Sequence, residues 1–406
     1  MSFFKDHKVT VKELLDIIPD ELLTHLSQTT KIDYYAKTLH GRKLFYLLIY
    51  GILDNEKLSQ RSLEDTFNDP VFKFLFQLDN DETIRRSSIS DRLSTIDFDF
   101  FKQIFDNVHA EFSKMYSKSD SEKFNLIRVD STMVSEAANK LIDGLDNKSG
   151  KKSVKYSISF DGLLPCALDV FTKNIYNSEE IALPEAILNH VKKEANHNNI
   201  YVVDRGLQST MTMKNFSKEN VIFVCRTKEN RKYKELQSFI KKNQRLDLDN
   251  SILIKDSKVQ LYYGKNITAK NGNHYSKEEL VDFPFRLVVI KSKTIDQKEF
   301  YFLTNNFELS AKEIADIYRR RWDIEVFFRF IKQELNVSHL VSLNKNGIMV
   351  MILMSMIAAM LILIYKKENN LGYRTAKRRF KLEIRNITMT LIIEHCGGNP
   401  KLMFKT

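Results

Sequence analysis

Residues that cross-link or punctuate a chain are scarce here. Three cysteines, Cys166, Cys225 and Cys396, stand far apart, and no CxxC pair occurs. That pattern excludes a zinc ribbon and a disulfide framework, and it suits a reducing compartment. With 12 glycines and 6 prolines in 406 residues, no linker, internal repeat or low-complexity tract is legible. Neither GxGxxG nor a Walker-type GxxxxGK[ST] loop is present, so nothing supports nucleotide binding. The opening stretch MSFFKDHKVTVKELL holds no apolar run of the roughly 7–15 residues that a secretory leader needs. These absences set the expectation of a cytoplasmic protein.

What is present is a core and an excess of positive charge. Apolar residues make up 43% of the chain and charged ones 28%, enough for two or three ordered domains. Lys and Arg outnumber Asp and Glu by 63 to 52, a net charge of +11. Such an excess suits a polyanion, whose counterions are released as phosphates are neutralised; the plain alternative is a generally basic soluble protein. One apolar run, Ile348 to Ile364, is free of charge and flanked by Lys345 and by Lys366 and Lys367. It is at the lower length limit for a membrane span. Its methionines suit irregular packing, and a lone anchor sits awkwardly with a polyanionic partner, so a buried core helix is expected.

Residues 1–115 read as a helical domain. Within it a short helix at 88–94 precedes a longer one at 97–115, with Arg85, Arg86 and Arg92 nearby. That pair is either a helix-turn-helix or part of a plain bundle. The pattern then changes to short β-rich runs, NLIRVDSTMV, VKYSISFDGLL and PCALDVFTKN. The helix LPEAILNHVKKEA follows with Pro184 near its start, then the strand NIYVVDRGL, a helix around 209–219 and the strand VIFVCRT. Three consecutive strands and then helix, strand, helix, strand describe an α/β core with mixed pairing. Residues 229–298 read as a β-rich insertion, opened by a basic helix carrying Arg231, Lys232, Lys234, Lys241, Lys242 and Arg245. The core resumes over 299–340, where Ser310 and Glu313 form a capping box for a long helix. A helical region, 341–406, closes the chain.

Two acids sit where strands rarely hold them: Asp130 inside NLIRVDSTMV and Asp204 at the end of NIYVVD. Such carboxylates cost desolvation unless a positive charge compensates, and a pair of hard divalent cations would do so. The bland alternative is two strand-end Asp residues capping loops. The helix after Ser310 adds a third acid. In IYRRRWDIEVFFRFIKQEL, Tyr318, Arg321, Glu325 and Lys332 fall within roughly 60° of one another at about 100° per residue. An apolar stripe of Ile317, Ile324, Phe328, Ile331 and Leu335 runs beside them, while Asp316, Asp323 and Glu334 face the opposite side. Glu325 alone among these acids borders the buried face.

The spacing Tyr318-x2-Arg321-x3-Glu325-x6-Lys332 resembles the Tyr-2-Arg-3-Glu-6-Lys signature of the insertion sequence four (IS-four) family of DDE transposases. RVDST and VVDRG look like that family's first and second Asp motifs, and the intervals of 74 and 121 residues fit, the second leaving room for an insertion. The likeness spans about residues 120–340. It implies an RNase H-like core with a β-rich insertion, preceded by helices that bind the element's ends. It implies too that Asp130, Asp204 and Glu325 hold two Mg²⁺ ions (Mn²⁺ may substitute), and that Tyr318, Arg321 and Lys332 hold the DNA backbone. Arg205 and Trp322 join that DNA-contacting set. Some relatives flip a base onto a Trp of the insertion; the single Trp here stands inside the signature, so that role stays unassigned. The activity implied is binding of terminal inverted repeats, cleavage at the ends and joining to target DNA by a homodimer on double-stranded DNA, in the cytoplasm at the nucleoid. Two other readings remain: a catalytically silent DNA-binding descendant, and a membrane-anchored protein with an accidental match. The basic segment Tyr373 to Arg385 suits DNA, a second subunit or solvent equally.

Overall fold

The computed structural model describes residues 8–402 except 56, 117–123, 136–140, 142–143, 147–149, 151, 194–197, 242–243, 269–273, 295–296 and 336. Seven helices come first: α1 (Val11–Leu15), α2 (Asp20–Thr30), α3 (Gly41–Asp54), α4 (Gln60–Asn68), α5 (Pro70–Leu75), α6 (Arg86–Thr95) and α7 (Asp99–Met115). Side chains start several of them. Thr10 and Ser59 make capping boxes, and Asp69 accepts from the first turn of α5, with Pro70 at its first position. Arg92, one of the three arginines near the α6–α7 pair, turns inward and donates to the carbonyls of Leu39 and Ile32, so it braces the bundle.

The central strands are β1 (Asn125–Ser135), β2 (Leu145–Asp146), β3 (Lys152–Phe160), β4 (Pro165–Phe171), β5 (Asn199–Val203) and β6 (Ile222–Arg226). Helix α8 (Glu179–Lys193) leads into β5 and α9 (Thr210–Lys218) into β6. β4, β3 and β1 pair antiparallel in that order, whereas β5 pairs parallel to β1 and β6 parallel to β5. Three antiparallel strands continued by two parallel ones are the RNase H-like arrangement, and the expected α/β mixed-sheet class is the one observed. Pro184 stands one turn inside α8 rather than near its start, because the helix begins at Glu179. Two acids in that first turn favour the earlier start, and the backbone bond that Pro184 forgoes would reach only Glu180.

Residues 229–298 add strands, and no helix lies among their described residues. β7 (Tyr233–Ser238), β8 (Leu246–Asp247), β9 (Ser251–Thr268) and β10 (His274–Ser292) join the same sheet through β11 (Glu299–Thr304). Among the described residues the sheet has 11 strands and runs β2-β3-β1-β5-β6-β11-β10-β9-β7, with β4 on β3 and β8 on β9. Residues 233–238 of the basic segment expected as a helix are therefore strand β7, and Lys242 lies outside the described residues. The ladder to β9 overrides its helical appearance: Tyr233 pairs with Leu261, and Lys255 on β9 takes the Glu235 carboxylate and lies over the Tyr233 ring at 4.9 Å.

The helix expected from Ser310 is capped as expected, with Ser310 and Glu313 in a reciprocal box. It comes in two pieces, α10 (Ala311–Arg319) and α11 (Trp322–Glu334). At the break the amides of Arg321, Asp323 and Ile324 bond three residues back, to Tyr318, Arg320 and Arg321. Such tightened turns mark an interrupted helix. The chain ends with α12 (Lys345–Glu368) and α13 (Tyr373–His395).

Helix α12 carries the apolar run. It is long and apolar enough to cross a membrane, but 94% of its most apolar 18-residue window is buried inside the protein. Helices α1, α3, α6, α7 and α13 surround it, which is the core role expected of it. One cluster unites it with the N-terminal helices, with Ile158 and Phe160 of β3 and with Ile324, Phe327 and Phe328 of α11. Met354 and Leu361 are completely buried there. Met354→Asp places an unpaired charge in that core at a cost of several kcal/mol and is expected to abolish soluble, folded protein. Leu361→Ala should lose about 2–5 kcal/mol of stability. Denaturant titration and soluble yield check both; wild-type behaviour of either variant would remove α12 from the core.

Candidate active site

Parallel pairing of β1 with β5 brings the first two acids together. Val129 lies opposite Val203, so Asp130 and Asp204 each follow the same rung. They share the strand parity of Leu126, Ile200 and Val202, whose side chains pack with Ile314 and Ile317 of α10. The sheet face carrying these acids is thus the face that α10 and α11 cover, and α11 adds Glu325 from its first turn. Three chain segments meet at one corner of the sheet.

The centre of that corner is Arg321. Its guanidinium donates to Glu325 Oε1, lies 3.8 Å from Asp204 Oδ1 and reaches 4.0 Å from Asp130 Oδ2. Its side chain is only 13% exposed. Burial works against its charge, but the bond to Glu325 and the charges of Tyr318 and Asp204 raise its pKa above the ordinary value. The Tyr318 hydroxyl donates to Asp204 Oδ1 at 3.3 Å, its ring resting against Phe302 with centroids 5.0 Å apart. Burial first, and then Asp204, push that phenol up to about 12 against the opposing pull of Arg321.

The three acids differ in environment. Asp130 is 25% exposed and Asp204 48%. Desolvation pushes the Asp130 carboxyl up to about 6, helped by Asp204 and Glu179 and opposed by the Ser131 amide and Arg321. The Ser131 amide donates to Asp130 Oδ1 at 2.7 Å. Glu179 begins α8 and is held by the buried Lys155 of β3 at 3.0 Å. Among the expected DNA-contacting residues, Trp322 and Arg205 are exposed beside these acids in sequence, and Lys332 lies two turns along α11 with its ammonium 5.9 Å from the Phe328 ring centroid. The structure brings together Asp130, Asp204, Glu325, Tyr318 and Arg321. No contact joins Lys332 or Arg205 to the three acids among the described residues.

Among the described residues no three acidic, histidine or cysteine side chains are already spaced as a metal cage. The donor set nevertheless fits hard divalent cations. It offers carboxylate oxygens only, one of them desolvated enough to be held partly neutral, around a space where a positive charge is already accommodated. Asp323 corrects an expectation: it does not face away, but pairs with the buried Arg128 of β1 at 3.0 Å. Arg128, Lys155 and Glu179 were not singled out from sequence. A charged residue within an apolar strand run, as in NLIRVD, is the signal that marks Arg128.

A family model described as a transposase DDE domain matches residues 123–361, more than half of the chain. The protein is a DDE transposase of the IS-four type. It is 24% identical over 301 residues to a Geobacillus stearothermophilus protein named as a transposase for insertion sequence element IS5377, covering 72% of each chain. It is 26% identical over 350 residues to a Synechocystis protein named as a transposase for insertion sequence element IS4SA, covering 84% of this chain and 85% of that one. A solved piggyBac transposase synaptic complex with hairpin DNA matches at a TM-score of 0.47 and 14% identity, over 96% of this chain and 81% of that one.

The burial of Asp130 in this transposase has a consequence for stability. Its folded-state pKa lies above the ordinary value of 3.8. The stability it contributes is therefore fully present below about pH 4 and is lost as pH rises through about 6. Asp130→Asn abolishes that loss. In metal-free protein the variant should melt higher than wild type near neutral pH, by the equivalent of at most about 3 kcal/mol, and should not gain below about pH 4. Thermal melts at the two pH values test this, and an unchanged or lower melting temperature near neutrality would refute it.

Proposed function

We propose that this transposase binds the terminal inverted repeats of an insertion sequence, cleaves DNA at its ends and joins them to a target. The observation that carries the reading is the convergence of Asp130, Asp204 and Glu325, from β1, β5 and α11, around a single guanidinium. Nothing in an ordinary core requires three acids and a buried arginine at one sheet corner. Asp130, Asp204 and Glu325 would hold two Mg²⁺ ions, or Mn²⁺ in their place, and those ions would supply an activated nucleophile and stabilise the leaving oxygen.

The chain's own residues do the positioning. Tyr318 fixes the Asp204 carboxylate by its hydroxyl and is itself fixed by Phe302. Arg321 carries a planar fork suited to a phosphate, and in the DNA-free protein that fork keeps the three acids together. Lys332 stands about 10 Å from Glu325 along α11, a reach that suits a flanking phosphate. Trp322 and Arg205 complete an exposed face for double-stranded DNA beside the acids. The protein would act as a homodimer on paired ends, in the cytoplasm at the nucleoid. On α13, Lys381 already pairs with Asp54 at 3.1 Å and Lys377 approaches Glu334 at 4.0 Å, so part of that basic segment serves the fold.

Asp130→Asn, Asp204→Asn and Glu325→Gln should each abolish metal-dependent cleavage of a duplex carrying the element's ends, with binding of that duplex largely kept. Wild-type cleavage by any one of them would remove that residue from the centre. Lys332→Ala and Arg321→Ala should weaken end binding and make its salt dependence shallower by about one unit of slope, similarly for different end sequences. Arg321→Lys should restore binding only in part, since an ammonium lacks the fork. Binding isotherms over a salt titration measure this; an unaltered slope in all three variants would remove Lys332 and Arg321 from the DNA-contacting set.

A further inference from the structure

Among the described residues Arg128 is the largest fully buried side chain, and it lies two residues before Asp130 on β1. Its contacts tie together segments that are far apart in sequence. Nη1 donates to the carbonyls of Leu126 at 2.8 Å and Asp161 at 3.0 Å. Nε donates to the carbonyl of Arg320 at 3.2 Å, and Nη2 to the Asp323 carboxylate at 3.0 Å. Arg320 and Asp323 bracket the break between α10 and α11, and the Asp323 amide itself bonds to Arg320 O.

The surroundings are shaped to admit this guanidinium. Gly162 has φ +101, and a Cβ there would lie 2.8 Å from Arg128 Nη1. Asp161 caps its own turn through the amides of Leu163 and Leu164 at 2.9 and 2.8 Å, and so holds still the carbonyl that Arg128 uses. His109 of α7 lies 3.7 Å from the Asp161 carboxylate, which ties that turn to the N-terminal bundle. Phe160, opposite Arg128 across the β1–β3 ladder, stacks on Phe327 of α11 at 4.8 Å. A buried arginine is costly unless its donors are satisfied, and here the acceptors come from both sides of the helix break.

We infer that Arg128 is a positioning residue: it clamps the break in the signature helix to β1 and thereby sets where Arg321 and Glu325 stand relative to Asp130. The fork makes this possible, because it reaches a carbonyl and a carboxylate on the helix while holding β1 and the 161 turn with its remaining donors. Without it, the Arg320 carbonyl loses its bond to Arg128, and α11 is held to β1 by apolar contacts and by the 4.0 Å approach of Arg321 to Asp130. Those contacts permit small slides that a single fixed fork forbids. The inference rests on reading the three acids as the reaction centre for its catalytic arm only.

The test uses the full chain with two substitutions. Arg128→Lys keeps the charge and loses the fork. Asp323→Asn, at a position 46% exposed, keeps the shape and loses one charge, so it folds even if Arg128→Lys does not. Leu261→Ala on β9, in an apolar cluster that holds no residue of α10 or α11, serves as a control for general destabilisation. Two readouts are taken well below each melting temperature. Without DNA, amide hydrogen exchange of residues 318–326 and acrylamide quenching of Trp322, the single tryptophan, should both rise in Arg128→Lys; exchange should rise in Asp323→Asn; the control should match wild type. With end-bearing duplex and Mg²⁺, turnover at saturating DNA should fall by on the order of 10²-fold in both site variants, while the DNA concentration for half-saturation stays close to wild type. Wild-type exchange in the folded variants, or losses that merely follow the melting temperature as in Leu261→Ala, would overturn the inference. A wild-type protein silent in cleavage, with the exchange change intact, would sink the reading of the acids and leave the clamp standing.

Discussion

Three carboxylates can share one corner of a sheet only if positive charge stands among them. Two like charges at about 4 Å repel by about 4 kcal/mol where the effective dielectric is near 20, and Asp130 is further desolvated by its strand neighbours. Arg321 answers that constraint in the isolated chain, bonding Glu325 and facing both Asp residues. The rest of the site can be read as what keeps this charge balance in place. Parallel pairing of β1 with β5 sets the Asp–Asp relation, the capped α10 delivers Tyr318 to Asp204, and the break before α11 turns Arg321 and Glu325 inward together.

That arrangement depends on packing far from the acids. The apolar face of α11 belongs to the same cluster as α12 and the N-terminal helices, so the third acid is seated by the core that holds the whole helical region. The sheet meanwhile continues from β6 through β11 into the long β9–β10 pair, and the segment between the second Asp and the Glu adds its strands to the sheet that carries both Asp residues. Its ion pairs are partly internal: Arg286 grips Asp256 with two nitrogens, at 2.8 and 2.7 Å, in the interior of that pair. A charge count by segment would credit those cations to DNA, and the fold shows that some are spent on holding strands together.

The acids and their signature were legible because their chemistry is at odds with their setting. Asp inside a β-rich run and four polar residues on one helical face need a reason beyond folding. The Ser310 start was legible because capping is local, a matter of residues three apart. What was not legible depended on partners remote in sequence. The basic run at 231–245 looks helical by itself, yet its residues 233–238 become strand because β9 offers a ladder. The signature helix looks continuous because nothing in IYRRRWDIEV breaks a helix, there being no Gly or Pro in it; the interruption coincides with a carbonyl bonded by an arginine 192 residues away. Asp323 looked solvated for the same reason, since its cation comes from β1.

The same contrast explains how a signature of fixed spacing can work across a broken helix. Along one ideal helix Tyr318, Arg321 and Glu325 would simply line one face. With the tight turn between Arg320 and Arg321, α10 and α11 can each follow their own packing, α10 against β5, β6 and β11 residues and α11 against β3 and the helical core. Tyr318 then serves Asp204 from the first helix while Glu325 meets Arg321 from the second. The spacing of three, four and seven records two short helices joined at a defined turn as faithfully as one long one. Its physical content is the distance between side chains at the sheet corner, and that distance is set by what clamps the turn to β1.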